Sequence, residues 1–193
     1  MAGSPDGPLA SAALRALGRR NLVLVGFMGT GKSTLGRIAA SALARPFYDT
    51  DEVVQERAGC TIREVFARWG EACFRQWEAE AVRDLGQASG LVLATGGGVL
   101  GQPGNAAALR AGGLLVGLRA RPDVILRRVG GADAARARPL LAGDDPLARI
   151  RALLAAREPM YAGADASLDA SDLTLDAAVD ALLRLVGTMA PSD

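Results

Sequence analysis

The 193-residue chain contains no histidine. That absence excludes Ser-His-Asp chemistry, histidine-bearing zinc sites and an imidazole general base, and it leaves carboxylates as the expected proton acceptors. Cysteine is limited to Cys60 and Cys73, too few for a disulfide framework. The two read as small buried hydrophobes of a reducing compartment, which points to the cytoplasm. No apolar run approaches the ~20 residues that a membrane helix needs. The net charge is only +1, with basic and acidic residues interspersed, so neither a nucleic-acid nor a membrane field is implied. Lysine is nearly absent too: Lys32 stands alone among 22 lysines and arginines.

That one lysine lies in the most informative stretch. Leu22 to Val25 is an apolar run suited to a buried strand. It breaks into Gly26-Phe27-Met28-Gly29-Thr30-Gly31-Lys32-Ser33, the G-x-x-x-x-G-K-S spacing of a P-loop, and a helical pattern follows from Thr34. Glycines let backbone N–H groups converge on one anion, and the following helix adds its positive N-terminus. Lys32 supplies a compact charge for the β- and γ-phosphates, where a planar arginine fork would serve less well, and the Ser33 hydroxyl suits Mg²⁺. A dinucleotide G-x-G-x-x-G starting at Gly29 is excluded because Thr34 stands at the third glycine.

Length predicts one domain, about 21–187, between tails at 1–20 and 188–193. The first tail carries a short possible helix over 8–17. Strands are expected near 22–25, 47–51, 91–94, 114–118 and, weakly, 167–170. Helices are expected over 32–44, from 52 to Gly59, from the capping box Thr61-Ile62-Arg63-Glu64 to about 85, from Pro103, from Pro122 to 129, from Pro146 to 160 and over 176–186. Residues 130–145 show no clear periodicity and read as a lid-like loop. The alternation predicts an α/β fold, a parallel sheet with helices on both faces and ligands at the carboxyl ends of its strands.

The unusual residues fall at those ends. Asp49 and Asp51, two apart at a strand edge, share a face. Beside Mg·ATP, two carboxylates can divide the work, one holding the waters of the metal and one taking a proton from the acceptor hydroxyl. Asp51 is equally placed to cap the next helix. Arg75 and Glu78 are helical neighbours, readable as a surface ion pair or as an arginine aimed at a substrate anion and held by the glutamate. Gly96-Gly97-Gly98 is either a loose turn or a place where a ligand meets the backbone. Arg138 and Arg157 are candidate phosphate or carboxylate contacts; Arg127, Arg128 and Arg136 are less distinct. Trp69 and Trp77 read as packing aromatics.

GFMGTGKST, FYDTD, FRQWE, ATGGG, RPLL (138–141) and AREPMY (156–161) occur in one order, and by this set the chain resembles a shikimate kinase over about 21–185. The resemblance implies a P-loop kinase fold, a five-stranded parallel sheet with a mobile lid, similar to nucleoside monophosphate kinases. It implies transfer of the γ-phosphoryl of ATP to the 3-hydroxyl of shikimate, with Mg²⁺, in a monomer. By matching residues, Gly29, Thr30, Gly31, Lys32, Ser33 and Thr34 would hold the phosphates, with Ser33 on Mg²⁺ and Asp49 reaching the metal through water. Asp51 would bind the substrate hydroxyls and act as base or orienter. Arg75 and Arg157 would clamp the shikimate carboxylate, helped by Gly96, Gly97 and Gly98. Arg138 of the lid would meet the ATP phosphates. Ser171-Asp172-Leu173-Thr174 departs from the arginine and proline often found in the family's adenine loop, which leaves Arg128 as the residue suited to stack on the base. A kinase for gluconate or a nucleoside monophosphate would share the P-loop but not the paired arginines and glycine triplet. A GTPase-like switch would need D-x-x-G and N-K-x-D, and neither occurs.

Overall fold

A computed structural model describes residues 7–136, 138–141 and 143–189. The sheet is built from β1 (Asn21–Gly26), β2 (Phe47–Asp49), β3 (Val92–Ala94), β4 (Gly113–Arg119) and β5 (Ala166–Asp169). All pairings are parallel and the order is β2-β3-β1-β4-β5. Every residue of β1 is buried, because a strand covered on both faces alternates its side chains between two cores. Leu22 and Leu24 enter one core, and Val23 and Val25 enter the other. The five parallel strands and flanking helices are the α/β fold expected from the alternating pattern.

The first core face is covered by α1 (Pro8–Leu17), α2 (Lys32–Ala42) and α9 (Leu175–Gly187). The stretch expected as a tail is therefore in part a packed helix. Ala10, Ala13 and Leu17 are buried there with Val179 and Leu182 of α9. Its alanines let two helices approach closely, and that contact is invisible in local composition; residues 1–6 of the expected tail lie outside the described residues. On the other face, Val82 of α4 (Ile62–Gln87) and Leu109 of α5 (Asn105–Gly112) pack on the sheet. α3 (Thr50–Ala58) packs with α4 around Val54, Val65 and Phe74.

Two further expectations change in detail. The capping box at Thr61 and Glu64 forms as read, but α4 breaks at Gly70, where φ is 78°. The segment 130–145 is not a bare loop in its described part. It contains α7 (Gly131–Arg136) and a 3-10 turn (Pro139–Leu141), between α6 (Pro122–Arg128) and α8 (Pro146–Ala162). Ala135 and Leu141 are buried with Phe27, Ile125 and Ile150. A six-residue helix is too short to leave a readable period, which is why the pattern hid it. Among the described residues no helix is long and apolar enough to cross a membrane.

Candidate active site

β1 delivers the chain to the loop Phe27–Gly31, and α2 begins at Lys32. Gly29 and Gly31 have φ of 74° and 101°, a region that only glycine enters at little cost. Gly31 caps α2 without any side-chain bond, so the first amides of the helix face the loop. Lys32 is 7% exposed and donates from Nζ to the Phe27 carbonyl at 2.9 Å, an oxygen that also accepts from the Thr30 hydroxyl at 2.8 Å. Burial lowers the Lys32 ammonium to about 8, against the raising effect of Asp51 and Asp49.

The loop opens on a cavity of about 550 Å³, lined by Gly29 to Thr34, Asp49, Asp51, Thr95, Gly97 and Arg128. Leu173, Thr174 and Leu175, the departing segment and the start of α9, close its far side. Arg128 lines it while spending its donors on two carbonyls, Thr30 at 3.0 Å and Ala170 at 2.7 Å. The guanidinium thus ties the P-loop to the segment after β5.

Ser33 and Asp49 meet directly: Ser33 Oγ donates to Asp49 Oδ2 at 2.6 Å. Asp49 is also the N-cap of α3, accepting from the Asp51 N–H at 3.0 Å. The helix cap is therefore Asp49, not Asp51, and Asp51 sits in the first turn of α3 rather than on the strand edge. Both carboxylates still line the cavity, because the strand-to-helix turn is tight. Among the described residues no three His, Cys, Asp or Glu side chains form a metal cage. Two carboxylates and a hydroxyl suit a hard cation that completes its shell with water and phosphate oxygens.

Beside the glycine triplet, Arg75 donates from Nη1 to Glu78 Oε2 at 2.8 Å and also pairs with Glu71 at 3.0 Å. Its side chain is 20% exposed and that of Glu78 only 1%, so the surface-pair alternative does not describe it. Glu78 Oε1 and Asp51 Oδ1 are buried without a hydrogen-bond partner among the described residues. Both crowd Gly96: a Cβ there would lie 2.6 Å from Asp51 Oδ1 and 2.7 Å from Glu78 Oε1. At Gly98 it would lie 2.9 Å from Arg75 Nη1. The glycine triplet is thus threaded among the charged groups, and protein side chains account for its composition before any ligand does. Burial, then Asp49 and Glu78, push the Asp51 carboxyl up to about 6, although Lys32 and Arg75 oppose this.

Arg157 of α8 stands beside the same turn, 3.4 Å from the Gly97 carbonyl and 5.4 Å above the Phe27 ring. Tyr161, which the sequence reading missed, donates to that carbonyl at 2.6 Å. Its spacing of four from Arg157 in AREPMY was the available signal. Arg138 is the candidate that the fold does not bring in: it is exposed and does not line the cavity. The side chain of Arg136 lies outside the described residues.

The shikimate kinase family model matches residues 28–186. The shikimate kinase of Caldanaerobacter subterraneus is 44% identical over 165 residues, 86% of this chain and 95% of that one. That of Geobacter sulfurreducens is 46% identical over 167 residues, covering 86% and 91%. Among solved structures, Acinetobacter baumannii shikimate kinase in complex with shikimate aligns with a TM-score of 0.81 at 34% identity, over 91% of this chain and 96% of that one. A P-loop cavity joined to paired carboxylates and arginines, together with these matches, shows that the chain belongs to the shikimate kinase family.

Proposed function

We propose that this chain transfers the γ-phosphoryl group of ATP to the 3-hydroxyl of shikimate. The observation that carries the reading is the Gly96–Gly98 turn, which touches Asp51 on one side and Arg75 and Arg157 on the other. A carboxylate for hydroxyl groups and arginines for a carboxylate therefore adjoin the phosphate cradle within one site. Gluconate or a nucleoside monophosphate as acceptor is not favoured by the relatives, which are shikimate kinases.

In this reading Gly29 to Thr34 hold the phosphates through backbone N–H groups, and Lys32 leaves the Phe27 carbonyl for the β- and γ-oxygens. Ser33 and Asp49 would hold Mg²⁺, which when bound neutralises phosphate charge. Arg128 adjoins the base, and Arg138, which lies outside the cavity, would have to swing inward to meet the phosphates. Asp51 orients the acceptor hydroxyl and takes its proton, while Arg75 and Arg157 grip the acid. Phosphoryl transfer depends mainly on positioning and charge neutralisation, so this residue set needs no histidine. One chain supplies every one of these residues, which suits a monomer, and the free thiols of Cys60 and Cys73 suit a reducing cytoplasm.

The test is ADP release with and without shikimate and Mg²⁺, with gluconate and UMP as control acceptors. Turnover should require shikimate and the cation together. Equal release under all conditions would end the proposal.

A further inference from the structure

Arg157 and Tyr161 lie one turn apart on α8 and reach the same atom, the carbonyl oxygen of Gly97. The neutral hydroxyl holds the near place, at 2.6 Å, and the charged Arg157 Nη1 stands off at 3.4 Å. That order runs against simple electrostatics, since a hydrogen bond from a charged donor is the stronger and normally the shorter one. Burial raises the Tyr161 phenol, while the charge of the neighbouring Arg157 and its hydrogen bond to the hydroxyl oppose this. Arg157 meanwhile rests over the Phe27 ring, 5.4 Å from its centroid, and its hydrogen bond to the Gly97 carbonyl is a long one, 3.4 Å. Phe27 is itself fixed in the core with Ile125 and Ile150.

We infer that Tyr161 is a positioning residue: its hydroxyl occupies the Gly97 carbonyl and so keeps the Arg157 guanidinium available for the carboxylate of the acceptor. The role of Arg157 rests on the function proposed above. Without the hydroxyl, the Gly97 carbonyl has one weak donor left, and Arg157 is the nearest group that can satisfy it. An arginine drawn onto a backbone carbonyl must give up that bond before it can bind a substrate anion. The cost then falls on acceptor binding and not on the phosphate cradle, which shares no hydrogen bond with Tyr161.

Tyr161→Phe removes one oxygen and keeps the ring. The KM for shikimate should rise about 3- to 10-fold, the scale of one hydrogen bond, with kcat and the KM for ATP within about twofold of wild type. The thermal midpoint should stay within about 2 °C. In a crystal structure of the variant, the distance from Arg157 Nη1 to the Gly97 oxygen should close from 3.4 Å to about 2.9 Å. An unchanged shikimate KM, or an unchanged distance, would overturn the inference. Parallel rises in both KM values with a lower thermal midpoint would overturn it as well, leaving Tyr161 a structural residue only. A wild-type enzyme without shikimate-dependent turnover would sink the proposed function instead, and the distance in the variant would still decide the role of the hydroxyl.

Discussion

Asp51 Oδ1 and Glu78 Oε1 crowd the same side of Gly96, buried and without hydrogen-bond partners among the described residues. Burial and two neighbouring acids raise the Asp51 carboxyl from 3.8 to about 6. A raised acid binds its proton more tightly in the folded chain than in the unfolded one. Stability therefore falls as pH climbs from 3.8 to about 6, and the loss persists above that. The cost is at most ~3 kcal/mol, the free energy of moving the carboxyl from 3.8 to about 6. Asp51→Asn should recover part of it: urea unfolding should show a more stable variant above pH 6 and little difference below 3.8. The same change should lower kcat by ~10²-fold or more with ATP binding retained. A variant with no stability gain at any pH would mean that the carboxylate is not strained. The pH profile is a second prediction at this scale. kcat/KM for ATP should rise as Asp51 ionises near 6 and fall as Lys32 loses its proton near 8. Saturating ATP should move the alkaline limb upward in kcat, because phosphate oxygens favour the ammonium. An alkaline limb that stays in place would assign it to another group.

At the level of elements, the P-loop was legible because its chemistry is local: glycines, lysine and serine act through their own backbone and the helix that follows. The glycine triplet was legible as unusual, but the reason for it was not. Gly96 is glycine because Asp51 from the first turn of α3 and Glu78 from α4 leave no room for a Cβ. Gly96→Ala should therefore displace both carboxylates, lowering kcat/KM for shikimate by ~10²-fold, while ATP affinity changes little. Near-normal kinetics would show that the turn shifts at no cost. The Gly70 break in α4 and the cap on α3 escaped for a related reason. Asp49 and Asp51 are equally good caps by residue type, and only the path of the chain out of β2 selects Asp49.

For the whole molecule, the two core faces divide the labour. One, with α2 and α9, carries the phosphate loop and the far wall of the cavity; the other, with α3 and α4, carries Arg75 and Glu78. α1 lies outside the family match at 28–186, yet Leu17 is 1% exposed in the core shared with α9. Leu17→Ala should cost ~2–4 kcal/mol in urea unfolding. A loss under ~1 kcal/mol would mean that α1 contributes little to the core.

The strand and helix alternation, the P-loop and the order of motifs were set by the sequence itself, since each depends on residue types at fixed spacing. Tertiary structure decided the rest. It set Asp51 against Glu78, placed Tyr161 and Arg157 on one carbonyl, packed α1 onto α9 and left Arg138 outside the cavity. Each of these depends on distances between residues far apart in the chain, and therefore on how the two faces of the sheet close around β1.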